Sequence, residues 1–276
     1  MFLTHEYRGF SLNNKYSSAG AETTYAAMSW FVLAMITNPE IQKRAQAELD
    51  AVVGRSRVPT FSDASSLPYV HAIVKEVLRW RPPLPLSIPH CTTVDDWYDG
   101  MFIPKGTICL PNLWLCHNDQ LLYGDDAAMF NPGRFLDAKG RIVTGPPEAR
   151  DDGHSTYGFG RRACPGKHVA NDSLFIFVAT VLWASTFERA HDRDGKETPL
   201  DTNSFVYNGV VWYAIVIFVT RRAPFDLHAA ADQFHTSATL NLGFPRRSQF
   251  WQRKKNCSDV TREACEDDLE RCWMAV

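Results

Sequence analysis

Apolar residues crowd nearly every side of SSAGAETTYAAMSWFVLAMITNPE, residues 17–40, from Thr24 onward. A helix that is apolar all round is one that other segments cover. Asn38-Pro39 closes it and opens a second helix, with Asn38 as the expected N-cap and Pro39 in the first turn. In the following EIQKRAQAELDAVVG, Ile41, Ala45, Leu49 and Val52 share one face, and Gly54 stops the helix. A third helix, YVHAIVKEVLRWR, opens at Ser66-Leu67-Pro68 and ends before Pro82-Pro83. The period then shortens. Residues 84–110 read as short strands, PLSIPHCTTV and MFIPKGTICL, with a turn at Tyr98-Asp99-Gly100. Residues 118–153 are rich in Gly, Pro and Asp and predict an irregular meander with short helices. Gly166 to Phe187 reads as an apolar helix, and 199–219 as strands. Residues 226–276 are polar and weakly patterned, with one helix expected at 259–274.

Composition narrows the class. The 276 residues suffice for one large domain or two small ones. A net charge of −2 gives no reason to expect nucleic acid as a partner. Seven cysteines, at 91, 109, 116, 164, 257, 265 and 272, contain no C-x-x-C pair, so zinc-site spacing is absent. Their odd number and scatter argue against a secreted disulfide framework. Met1 is followed by FLTHEYRGFSLNNK, polar almost at once, so no signal peptide is expected. No run of about 18 apolar residues occurs, and GVVWYAIVIFVT, 209–220, reads as buried strand.

The densest chemistry lies in YGFGRRACPGKHVA, 157–170. Gly158, Gly160 and Gly166 permit sharp turns and close approach to a flat surface. Cys164 stands just ahead of a helix, where free N–H groups and the helix dipole favour a thiolate. Arg162 can pair with a carboxylate. A haem supplies the flat ring, the carboxylates and an iron that accepts thiolate. The bland alternative is a glycine-rich turn with a packed cysteine.

This loop resembles the cytochrome P450 haem-binding pattern F-G-x-G-x-R-x-C-x-G, with Tyr157 in place of the Phe. The Tyr157 ring still packs there, but its hydroxyl needs a partner. Other pieces follow in the family's order. KEVLR carries Glu76 and Arg79, matching E-x-x-R; alone, the pair would read as an exposed helix pair. FNPGRF is similar to P-E-R-F, with Arg134 on the family's Arg and Gly133 in place of Glu. The resemblance implies a buried triad of Glu76, Arg79 and Arg134 bracing the haem loop. AGAETT, 19–24, resembles the family's oxygen-binding helix segment. The resemblance gives Thr23 a hydroxyl for dioxygen and Glu22 a proton-relay role, against the alternative of a capped helix start. It places His90 at a propionate, against a strand-edge histidine, and lines the substrate site with Leu84, Leu86 and Phe205. His117 and Asp119 fall in a structural region.

The expected fold class is therefore mainly α with small β-sheets, the C-terminal part of the cytochrome P450 fold. Residues 1–225 would form a partial haem-binding domain and 226–276 a poorly ordered tail. The implied function is a haem-thiolate monooxygenase of the fungal, microsomal type, with haem b ligated by Cys164. Its partners would be a small apolar substrate, O2 and NADPH-cytochrome P450 reductase or a similar electron donor. Full-length relatives would sit at the endoplasmic reticulum membrane; this chain is read as starting at the oxygen-binding helix, without an anchor. The alternative is a truncated, non-catalytic remnant that at most binds haem. Because the parts that would sheath the first helix are read as missing, Met28, Trp30, Phe31, Leu33 and Met35 are expected to meet water.

Overall fold

The first apolar segment forms α1, Thr4–Thr37, whose start lies well upstream of the expected Ser17. The computed structural model describes residues 4–145, 152–191, 196–197, 199–200, 205–207, 211–214 and 218–221, with side chains from Gly20 onward in α1 and none given in β6, β8 and most of β7 below. All of these belong to one compact unit, Met1–Ala230. The tail expected from 226 and its helix at 259–274 lie outside the described residues.

Asn38 is the N-cap residue of the next helix, as expected, but its side chain makes no capping bond there. Its Nδ2 turns back to donate to the Ala34 carbonyl at 2.9 Å and to Thr37 Oγ1 at 3.0 Å. Helix α2 runs Pro39–Val52 and stops where Gly54 takes φ +73°. Its buried face is Gln42, Ala45, Gln46 and Leu49, whereas Val52 is exposed. The two glutamines go inward because the end of a later helix offers them backbone partners. Phe187 N donates to Gln42 Oε1 at 2.6 Å, and Gln46 Nε2 donates to the Ser185 carbonyl at 2.9 Å. No hydrophobic period signals this.

After a 3-10 turn at Phe61–Ser66 comes α3, Pro68–Trp80, buried on most sides. Four short strands follow: β1, His90–Cys91; β2, Asp96–Tyr98; β3, Met101–Ile103; β4, Ile108–Cys109. β1 pairs antiparallel with β4, and β2 with β3. The turn expected at Tyr98-Asp99-Gly100 joins β2 to β3, with φ of +47° at Asp99 and +76° at Gly100. The meander holds α4, Leu113–His117, α5, Gln120–Tyr123, and a 3-10 turn at Pro132–Phe135. Helix α6, Lys167–Ala184, stops short of the expected Phe187. Residues Ser185–Arg189 become β5, antiparallel to β8, Phe218–Arg221. Between these, β6, Phe205–Tyr207, pairs with β7, Trp212–Ala214. The described part is thus mainly helical with small antiparallel sheets. None of its helices is long and apolar enough to cross a membrane.

The core forms where α1, α3 and α6 meet, and it corrects the expectation of a wet first helix. Phe31 and Met35 are fully buried, and Trp30 and Leu33 nearly so; only Met28 is half-buried. The cover comes from within the chain: α3, α6, β5 and β7 all lie against α1. Phe31 meets the rings of Phe177 and Phe187 edge-on at 5.9 and 5.8 Å. Apolar surface is exposed elsewhere, on the strands between Leu86 and Leu110, where Trp97, Tyr98, Met101 and Phe102 stand outward.

Truncating Phe31 to Ala should cost about 3–5 kcal/mol, because the ring leaves a cavity the aromatic cluster cannot collapse into. Val52→Ala, at an exposed site, should change stability by less than about 0.5 kcal/mol. Urea unfolding of both variants checks the contrast.

Candidate functional site

Glu76 and Arg79 lie one turn apart on α3, both fully buried. Two such charges inside a protein persist only if every donor and acceptor is used. Arg79 Nε and Nη2 donate to the two Glu76 carboxylate oxygens, each at 2.7 Å. Its Nη1 donates to the carbonyls of His117 and Ala127 at 2.6 and 2.7 Å, and Nη2 to that of Met129 at 3.0 Å. Glu76 Oε1 also accepts from the Asn131 N–H at 2.8 Å and from Arg134 Nε at 3.1 Å. Arg134 Nη1 then reaches the Tyr123 carbonyl at 2.6 Å and Asp126 Oδ1 at 3.2 Å. The structure therefore joins Glu76, Arg79 and Arg134 in one buried network that gathers the meander's carbonyls onto α3. Gly133 has a local cause. Asn131 Oδ1 accepts from its N–H at 2.9 Å and stands 2.9 Å from where a Cβ would lie.

A second tier carries the brace to the cysteine loop. His117 Nε2 accepts from the Ser155 N–H at 2.9 Å, and Tyr123 OH donates to the Gly153 carbonyl at 3.0 Å. Thr156 Oγ1 donates to the Leu78 carbonyl at 2.8 Å, and Lys75 Nζ to that of Asp152 at 2.8 Å. Gly153 takes φ +74°, and a Cβ there would collide with the Thr144 carbonyl oxygen at 2.1 Å, so only glycine fits. His154 is buried beside His117 and Tyr157.

Tyr157 anchors the loop itself. Its carbonyl accepts from the Cys164 N–H at 2.8 Å. Its hydroxyl finds the partner it needed, donating to Asn171 Oδ1 on α6 at 2.6 Å. Gly158 and Gly160 sit at φ +76° and +57°, and a Cβ on either would enter open space. A flat ligand can approach the backbone there. Arg162 is exposed, as is the free thiol of Cys164, and Gly166 is the N-cap of α6. These features fit a haem held against the loop by one thiolate. Among the described residues no three His, Cys, Asp or Glu side chains cluster for a metal. A porphyrin surrounds iron with its own nitrogens, so one protein donor suffices.

The remaining site residues lie on other elements. Glu22 is exposed and Thr23 half-buried, both well inside α1, so AGAETT is not a capped helix start. His90 is exposed on β1 opposite Cys109. Leu84 is half-buried and Leu86 exposed on the loop after α3. Phe205 lies in β6, in register with Ala214. Asp119 caps α5, its Oδ1 accepting from the Leu121 N–H at 2.9 Å.

The family model for cytochrome P450 matches residues 15–210. The chain belongs to the cytochrome P450 family. It is 53% identical to a cytochrome P450 monooxygenase of Armillaria gallica, over 75% of this chain and 38% of that protein. It is 50% identical to cytochrome P450 monooxygenase 58 of Postia placenta, over 70% of this chain and 36% of that protein. With cytochrome P450 monooxygenase iboC of Amanita muscaria it shares 45% identity, over 62% of this chain and 38% of that protein. The chain thus spans between a third and two fifths of the length of these relatives.

Electrostatics in this P450 chain follow from burial. Tyr157 is held well above the ordinary phenol range by desolvation, with Asp152 and Cys164 adding to it, so its hydroxyl stays a donor. Burial, helped by the Arg79 charge, pushes His117 down to about 4. Burial also drives His154 well below its ordinary value, with His117, Lys75, Arg79 and Lys167 adding positive charge. Sequence reading missed His154, Lys75 and Asn171, since their partners are remote or lie outside any motif.

Two predictions follow from these groups. Glu76→Gln should destabilise the chain by about 3–5 kcal/mol, because both arginines stay buried with half their counter-charge gone. Chemical denaturation measures it. Histidines that fold neutral bind protons more readily when unfolded. Stability should therefore be full above pH 6.5 and fall as pH drops toward 4, by roughly 3 kcal/mol for His117 alone. Melting temperatures should fall with pH across that interval, and His117→Gln should flatten the dependence.

Proposed function

We propose that this chain is the haem-binding portion of a thiolate-ligated monooxygenase, in which Cys164 would hold the haem iron. The observation that carries the reading is the exposed Cys164 thiol beside two left-handed glycines that open onto free space, on a loop tied to the Glu76–Arg79–Arg134 network. Bound haem supplies reductive activation of O2 and insertion of one oxygen atom into a small apolar molecule. The protein's part is to hold and orient. Gly158 and Gly160 would let the backbone approach the ring and Arg162 and His90 would receive its carboxylates, while Tyr157 with Asn171 fixes the loop to α6. Cys164 stands two residues before the N-cap of α6. Thr23 and Glu22 offer a hydroxyl and a carboxylate to hold and pass protons. Leu84, Leu86 and Phe205 present apolar surface to the substrate, and electrons come from a flavoprotein reductase.

The alternative reading is a non-catalytic remnant that at most binds haem. Both readings share Cys164. In the reduced, carbon-monoxide difference spectrum of the haem-loaded chain, the red-shifted Soret band of a thiolate-ligated haem is expected. Cys164→Ser should abolish it, and Cys109→Ser should leave it in place. A band that survives in the Cys164 variant would refute the assignment. Product formation with added reductase separates enzyme from remnant.

A further inference from the structure

Arg81 follows the last turn of α3, its backbone N–H donating to the Val77 carbonyl at 3.1 Å. Its guanidinium carbon lies 4.7 Å from the ring centroid of Trp114, 4.8 Å from that of Trp80 and 5.3 Å from that of Trp30. Rings from α4, α3 and α1 thus wall in one cation. The walls are fixed. Trp30 and Trp80 meet edge-on at 6.3 Å, and Trp80 Nε1 donates to the Ala128 carbonyl at 3.1 Å. The Trp114 N–H donates to the Pro85 carbonyl at 3.0 Å, tying α4 to the loop after Arg81.

What the cage lacks is an acceptor. Arg79, two residues earlier, uses its guanidinium on a carboxylate and three carbonyls. Arg81, among the described residues, has no side-chain hydrogen bond or ion pair, and its Nε is buried without a partner. Ring faces attract a cation but leave its in-plane N–H donors unfilled. Desolvated donors with nothing to bond are unfavourable, and burial alone lowers the affinity of Arg81 for its proton. The residue is only half-buried, so a group from outside can reach it. The loop that follows carries half-buried Leu84 and exposed Leu86 and Ile88, an apolar neighbourhood along the chain.

We propose that Arg81 is a receiving site for a carboxylate, the tryptophan walls aiming the planar guanidinium so that its free N–H groups meet both oxygens. A single cation in apolar surroundings suits a singly charged, amphipathic acid. That carboxylate has two possible sources: a propionate of bound haem, which rests on the function proposed above, or the acid group of a small apolar molecule, which does not.

The test has one arm for each source and uses the full chain. In the first, haem and haem dimethyl ester are titrated and followed by Soret absorbance. In the second, the haem-free chain is titrated with dodecanoate and with dodecanol, followed by tryptophan emission. In at least one arm Arg81→Met should weaken binding of the acid by about tenfold or more while leaving the neutral analogue unchanged. Loss in the first arm assigns the propionate, and loss in the second assigns a small-molecule acid. Should Arg81→Met fail to fold by circular dichroism, Arg81→Gln replaces it with the same expected result. Undiminished acid binding by the folded variant in both arms overturns the proposal. Failure of the unaltered chain to take up haem would count against the haem reading and leave the second arm to decide Arg81.

Discussion

A single buried carboxylate organises this chain. Glu76 sits where no water reaches, and its negative charge is tolerable only because two guanidiniums and a backbone N–H converge on it. That requirement works in reverse on the meander. Arg79 and Arg134 have donors left after serving Glu76, and these draw in the carbonyls of His117, Tyr123, Ala127 and Met129. An irregular segment with little core of its own thereby acquires a fixed path. Such a network contributes more to a defined geometry than to net stability, since an apolar replacement of the whole could fold as well.

The geometry propagates by direct bonds. His117 gives a carbonyl to Arg79 and a ring nitrogen to Ser155, so one residue joins the meander to the approach of the cysteine loop. Tyr123 likewise gives its carbonyl to Arg134 and its hydroxyl to Gly153. From there the chain is tight enough that a Cβ at Gly153 has no room, while a few residues on Gly158 and Gly160 face open space. Tight backing and an open front are what a loop needs if it is to hold a flat ligand against its backbone. The two buried histidines make this region sensitive to acid, because protonating either would bury a charge close to positive neighbours.

Stability and exposure are distributed unevenly. Helices α1, α3 and α6 with their aromatic cluster form a dry core, and the strands between Leu86 and Leu110 carry outward-facing aromatics. The sequence pattern of α1 pointed correctly to burial but not to what covers it. Part of the cover is α3, but the rest is α6 and the strands β5 and β7, which lie well over a hundred positions later in the chain.

Local chemistry made several features legible in the residues alone: the ends of α2 and α3, the Asp99-Gly100 turn, the glycine-rich loop ahead of α6, and the family motifs. Each depends on a residue's own backbone preference or on neighbours a turn away. Gln42 and Gln46, polar residues on a buried face, were not legible, because their partners are carbonyls and an amide near the end of α6. The early stop of α6 at Ala184 belongs to the same cause. Nor could spacing show that Tyr157 would find Asn171, that His154 would be shut beside His117, or that three tryptophans from α1, α3 and α4 would enclose Arg81. Those pairings join residues that no local preference links. Only the packing of distant segments sets which polar groups meet and which are left without a partner.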